Sequence, residues 1–272
     1  MENNQKDQIR QLQKIINTSK NIVFLGGAGV STESGIPDFR SSRNSANDNS
    51  LPPEIALSIG FFELHPKKFF DYYFSHLVHP NAKPNAAHLK LAELEKSGKL
   101  THIITQNVDG LHEKAGSKKV INLHGSIHSN HCRCCKKKYS LPQIQSMDSI
   151  PICTECGAII KPDVVLYGEP LNTADLIKAD QALKDADTLI VAGSSLVVQP
   201  AANLLFSFKG KNLVLINKTP TPLDYMATLN INAPIGEVLD QIKIRKPRLA
   251  ALDVSRYISS SKKYSDYAKN GR

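Results

Sequence analysis

Apolar residues in this chain gather in short runs: Ile22–Leu25, Leu100–Thr105, Thr188–Ala192 and Asn212–Ile216. Runs without polar alternation predict strands buried on both faces, as in a parallel sheet. Between them the spacing turns helical. Residues 5–17 set Ile9, Leu12, Ile15 and Ile16 on one face, and Pro84–Lys96 turns Ala87, Leu91 and Leu94 inward before Gly98 stops it. Further helices are predicted at about 173–185 and from Pro200 to Phe208, ended near Gly210. The alternation predicts a Rossmann-like, doubly wound α/β fold. It lapses at 41–50, which is polar and aperiodic and reads as a lid-like loop. It lapses again at 52–79, where short helical pieces carry Phe and Tyr expected in a core, and in a cysteine-bearing stretch at 132–156.

Ligands of such sheets bind beyond the carboxyl ends of the strands. Those ends carry Gly26-Gly27-Ala28-Gly29, Gln106-Asn107-Val108-Asp109, Gly193-Ser194-Ser195 and Asn217. The glycines allow backbone N–H groups to close on an anion, with a helix expected near Ser31 to add its positive end. A dehydrogenase loop wants G-x-G-x-x-G, and here the third place is Thr32. No acidic second strand end follows, so hydride transfer is not the natural reading. A plain tight turn explains the glycine loop taken alone; four clusters at four strand ends are the stronger signal.

Cysteine use adds a second module. Cys132 and Cys135 form one C-x2-C pair, and after seventeen intervening residues Cys153 and Cys156 form another. The spacing is specific for a structural zinc ribbon, and four thiolates leave no position for a reactive water. Gly157 supplies the turn after the second pair, whereas the first has Lys136 there. Cys134 is the spare, and His128 and His131 are not assigned as ligands. The formal charge of +9 is uneven: residues 245–272 hold eight Lys/Arg against two Asp, so +6 sits at one end. Basicity is therefore poor evidence for nucleic-acid binding by the body. With no apolar stretch near ~18 residues and a polar first segment, a cytoplasmic location is expected and no membrane partner.

His124, in Val-Ile-Asn-Leu-His124-Gly125, is a candidate general base, though the chain has nine histidines. The combination resembles a known family. Gly27-Ala-Gly-Val-Ser-Thr-Glu-Ser-Gly-Ile-Pro-Asp-Phe-Arg40, Thr105-Gln-Asn-Val-Asp-Gly-Leu-His112, Leu123-His-Gly125, the paired C-x2-C module, Pro162-Asp-Val-Val-Leu-Tyr-Gly-Glu169 and Gly193-Ser-Ser-Leu-Val-Val-Gln-Pro200 are similar to the sirtuins, the Sir2-type NAD-dependent protein deacylases. The resemblance covers about residues 8–242. It implies a catalytic domain over 1–246, with a large part at about 1–42, 82–126 and 161–246. The small part would be helical at 43–81 and a zinc ribbon at 127–160, with a basic tail at 247–272.

The resemblance also implies roles. Gly27, Ala28, Gly29 and Thr32 would cradle the phosphates of NAD, and Phe39 and Arg40 would close over its ribose and nicotinamide side. Gln106, Val108 and Asp109 would line the nicotinamide pocket, while Asn107 positions the adjoining ribose. Gly193, Ser194, Ser195, Asn217 and Ile235 would hold the adenosine half, with Ser31 and Asp38 as supports. Val164, Val165, Leu166 and Val197 would clamp an extended acyl-lysine substrate by strand addition. The acyl oxygen would attack the nicotinamide ribose as nicotinamide leaves, and His124 would take a ribose hydroxyl proton. One zinc ion would be structural. An ADP-ribosyltransferase on the same site, or a zinc-ribbon nucleic-acid module, are the competing readings. Relatives that prefer succinyl- or malonyl-lysine carry Y-x-x-R. Here Tyr73 is followed by His76, and Tyr72 by Ser75, so acetyl-lysine is the expected substrate.

Overall fold

The computed structural model describes residues 2–38, 51–197, 199 and 201–244. In chain order the elements begin with helix α1 (Glu2–Thr18), strand β1 (Ile22–Gly26), helices α2 (Pro53–Ala56), α3 (Ile59–Leu64), α4 (Pro66–His76) and α5 (Ala86–Lys96), and strand β2 (Leu100–Thr105). Helix α6 (Leu111–Lys114), strands β3 (Val120–Asn122), β4 (Gly125–Cys132) and β5 (Lys138–Ser140), helix α7 (Leu141–Gln145) and strand β6 (Ile160–Val164) follow. Helix α8 (Thr173–Asp185), strands β7 (Thr188–Ala192), β8 (Asn212–Ile216) and β9 (Leu229–Ile231) and helix α9 (Ile235–Asp240) complete the order. Among the described residues no helix is long and apolar enough to cross a membrane.

Six parallel strands form one sheet in the order β3-β2-β1-β7-β8-β9. The chain winds outward from β1 to one edge, returns, and winds outward from β7 to the other. The switch point lies between β1 and β7, where such sheets open a crevice. The unbroken apolar run of β1 has a simple cause. Ile22 and Phe24 pack on one face with α1, α5 and α9, while Val23 and Leu25 pack on the other with α8. Both faces are dry, so no position can be polar. Asn85 caps α5 by accepting the Ala87 N–H at 2.9 Å, and Asn172 does the same for α8 from Ala174 at 2.9 Å.

A second sheet, β5-β4-β6, is antiparallel and packs with α2, α3, α4 and α7 around a separate core. The aromatics of 52–79 do enter that core: Phe62, Phe69, Phe70 and Tyr73 are fully buried in edge-to-face and stacked contacts. Three expectations need correction. The helix expected near Ser31 is two 3₁₀ turns, Ala28–Val30 and Thr32–Ser34, because left-handed Gly35 and the restriction Pro37 places on Ile36 leave no room for more. The segment from Pro200 is a 3₁₀ helix over Ala201–Ser207; among its described side chains Leu204 and Leu205 are buried, too short a stripe to support an α-helix. The strand expected at Val164–Leu166 is Ile160–Val164, so Val165 and Leu166 lie just past its end.

Candidate active site

The sheet sets the predicted groups in a row. Reading across β3, β2, β1, β7 and β8, the residues after each strand are Leu123-His124, Gln106–Asp109, Gly27–Gly29, Gly193–Ser195 and Asn217. At the centre the loops after β1 and β7 interlock. Gly29 N–H donates to the Gly193 carbonyl at 2.8 Å, and Gly27 N–H to that of Ala192 at 3.1 Å. A Cβ on Gly29 would stand 2.7 Å from Gly193 Cα, and one on Gly193, whose φ is +58°, 2.4 Å from the Val30 nitrogen. Only two glycines let the backbones approach this closely. Thr32 Oγ1 donates to the Gly29 carbonyl at 3.0 Å and fixes the far side of the turn.

Asn107 and Asp109 are joined through Ser31. The buried Ser31 hydroxyl donates to Asp109 Oδ2 at 2.7 Å and accepts from Asn107 Nδ2 at 3.0 Å. Asp109 Oδ1 takes the Leu111 N–H at 2.9 Å and so starts α6. Val108 is fixed through its carbonyl, which accepts from Ile127 N–H at 3.0 Å. On the other flank Asn217 Oδ1 accepts the Ser194 N–H at 3.0 Å, and Ser194 Oγ accepts from Leu196 N–H at 3.3 Å. Ser195 follows, half-buried, and Val197 is exposed. Ile235 opens α9 just after β9, with its side chain buried in the core. Phe39, Arg40, the 41–50 loop and the tail from 247 lie outside the described residues.

His124 sits in the turn between β3 and β4. Its Nδ1 is 2.9 Å from the Gln106 carbonyl. A carbonyl only accepts, so in the neutral ring Nδ1 carries the proton and Nε2 keeps its lone pair. Burial lowers the imidazole pKa below its ordinary 6.5, against a smaller opposing pull from the Gln106 bond. The ring is therefore neutral at pH 7 and able to take a proton. Val165 N–H donates to the His124 carbonyl at 2.9 Å, which sets the segment after β6 beside this turn. Val164 and Leu166 are buried and Val165 half-buried.

The donor sets suit the groups expected here. Gln106 Nε2 and Asn217 Nδ2 are buried without a hydrogen-bond partner among the described residues, one on each side of the glycine cradle. Polar atoms held dry in this way fit a long polar ligand such as a dinucleotide. The sulfurs of Cys132, Cys135, Cys153 and Cys156 lie within 4.8 Å of one another, while Cys134 stays outside and exposed. Tyr139 OH donates to Cys153 Sγ at 3.1 Å, and Cys135 N–H points to Cys132 Sγ at 3.4 Å. Four converging thiols with donors aimed at the sulfurs fit a zinc ion. Lys136 takes the left-handed conformation at φ +63°, as Gly157 does at +73° after the second pair, so both knuckles turn alike. His131 pairs with Asp163 and His128 with the Asp109 carbonyl, away from the sulfurs. Lys161 and Glu169, to which the sequence reading gave no part, form an ion pair beside Val164–Leu166, the lysine buried and the glutamate half-buried.

The Sir2 family model matches residues 27–200. An NAD-dependent protein deacetylase of Clostridium perfringens is 52% identical over 240 residues, spanning 87% of this chain and 98% of that protein. One of Staphylococcus aureus is 42% identical over 240 residues, with the same coverage. Among solved structures, Sir2 bound to an acetylated peptide aligns with a TM-score of 0.76 at 39% identity, covering 85% of this chain and 95% of that one. Sir2 with a p53 peptide and NAD⁺ aligns at 0.75 and 39%, with the same coverage.

Proposed function

This chain belongs to the Sir2 family, and we propose on that footing that it is an NAD-dependent protein-lysine deacetylase, passing the acyl group to ADP-ribose and releasing nicotinamide. The observation that carries the reading is the row of strand-end groups meeting at the sheet's switch point, with a neutral histidine at one end. NAD, consumed as a substrate, supplies the ribose carbon from which nicotinamide leaves and the hydroxyls that receive the acyl group. His124 Nε2 accepts a proton from such a hydroxyl, and the Gln106 carbonyl keeps the ring in the tautomer that can. Asn107, tied to Asp109 through Ser31, orients the ribose, and Gln106, Val108 and Asp109 form the nicotinamide side. Gly27, Ala28, Gly29 and Thr32 form the phosphate cradle, built on two 3₁₀ turns rather than on an α-helix end. Gly193, Ser194, Ser195 and Asn217 bind the adenosine half, with Phe39 and Arg40 assigned to the ribose side from the family pattern.

Val165, Leu166, Val164 and Val197 receive the acyl-lysine peptide as an added strand. Cys132, Cys135, Cys153 and Cys156 would hold a zinc ion that ties β4, β5 and the 153–156 knuckle together; four thiolates close the site, so its part would be structural. Thiols that must stay reduced to bind metal accord with action in the cytoplasm. Incubation with NAD and an acetyl-lysine peptide tests the reading: nicotinamide, free lysine and O-acetyl-ADP-ribose are expected in equal amounts. ADP-ribose on protein without free lysine would replace it with a transferase. No consumption of NAD would refute it.

A further inference from the structure

We propose that Lys161 and Glu169 are positioning residues for the peptide substrate: their ion pair sets the segment that receives the peptide at a fixed place beside His124. This rests on the deacetylase reading. The Lys161 ammonium lies 2.9 Å from Glu169 Oε2 and donates to the Pro162 and Val164 carbonyls at 3.1 and 3.0 Å. The same Glu169 oxygen accepts the Leu166 N–H at 2.9 Å. One pair of charges thus grips the segment before and after Val165. The segment is then tied outward at both ends. Val165 N–H bonds the His124 carbonyl, and Tyr167 exchanges backbone bonds with Leu57 and Ile59 at 3.0 Å each.

Two further features make the grip matter. β6 is an edge strand, and Pro162 has no N–H to offer a partner. Lys161 occupies the carbonyls of 162 and 164, so neither is left to accept from a peptide laid along β6. Gly125, next to His124, lies so close that a Cβ there would stand 1.8 Å from the Asp163 carbonyl oxygen. The 162–166 backbone therefore rests directly against Gly125 at the start of β4. Lys161 is 8% exposed, and a charge so buried is tolerated only because all its donors are met.

The test uses the full chain and Glu169→Gln, Lys161→Met and the double Lys161→Met/Glu169→Met. Anisotropy of a fluorescent acetyl-lysine peptide reads affinity directly, and steady-state kinetics vary peptide and NAD separately. Each single variant is expected to weaken the peptide by about tenfold or more, in both affinity and KM, with kcat and the KM for NAD near wild type. The double variant, with no lone charge left buried, should regain thermal stability but keep the weak peptide affinity. Recovery of peptide affinity along with stability in the double variant would make the pair merely structural and overturn the proposal, as would wild-type affinity in the singles. If wild type binds the peptide but releases no nicotinamide, the deacetylase reading fails, while loss of peptide affinity in the variants still upholds the positioning role.

Discussion

A backbone carbonyl decides which nitrogen of His124 carries the proton, and this makes its chemistry testable. His124→Ala should lower kcat by about 10²–10⁴-fold while NAD affinity stays within a few-fold, measured by nicotinamide release and by titration of NAD. Because burial lowers the imidazole pKa, the base is neutral above 6.5 and protonates only at lower pH. kcat/KM should therefore be flat at neutrality and fall on the acid side, with a midpoint below 6.5. The histidine itself was legible from Leu-His-Gly; its anchor was not, since a contact to Gln106 depends on β2 and β3 being neighbours. Lys136 is a second case. A side chain at positive φ costs about 1 kcal/mol, so Lys136→Gly should stabilise the zinc-loaded protein by up to about that amount, with metal content unchanged in a denaturant titration.

Among the elements, α4 bears on acyl choice. Tyr73 is fully buried, and His76 at the Arg place of Y-x-x-R is exposed, stacked flat on Tyr72 at 3.9 Å and bonded through Nδ1 to Ser75 Oγ and the Tyr72 carbonyl. It points away from the aromatic core and so supplies no cation to a buried carboxylate. Succinyl-lysine should be turned over more slowly than acetyl-lysine at pH 7.5 and at pH 6 alike; faster desuccinylation at either pH would refute this. The cysteine knuckles make a second prediction: Cys153→Ala should lose zinc and stability together and Cys134→Ala neither, by metal analysis and thermal melting. The long buried strands were readable because burial on both faces leaves few polar positions, and α8 because Ala179, Ala182 and Leu183 recur at helical spacing. β9 and α9 escaped notice because three and six residues are too few to show a period. The 3₁₀ turns after the glycine loop were misread for the same reason.

Across the whole molecule, a histidine pair links pH to stability. His88 of α5 and His112 of α6 are buried with ring centroids 4.7 Å apart, and both His112 nitrogens and His88 Nε2 have no partner among the described residues. Burial pushes both imidazoles well below 6.5, His112 to about 3, with its neighbour His88 adding to the fall. The unfolded chain, near 6.5, therefore binds protons before the folded one does. Stability from this pair is complete above pH 6.5 and is lost as pH falls from there toward about 3. Melting temperature should drop between pH 7 and pH 5, and His112→Leu should flatten that drop, since an apolar side chain of similar reach removes the unpaired nitrogens. A melting curve for His112→Leu as acid-sensitive as wild type would refute it. Nothing in the spacing of these histidines announces a pair, because they meet only through the packing of α5 on α6.

The interlocked loops at the switch point carry one more consequence. Gly29 and Gly193 each occupy the volume that the other's side chain would need, so neither position can vary by itself. Alanine at one forces the loops apart, and once they are apart alanine at the other meets less. The two exchanges should then be markedly less harmful together than the sum of their separate effects. The two halves of the chain, joined here by hydrogen bonds rather than by sequence, are free to change only in step.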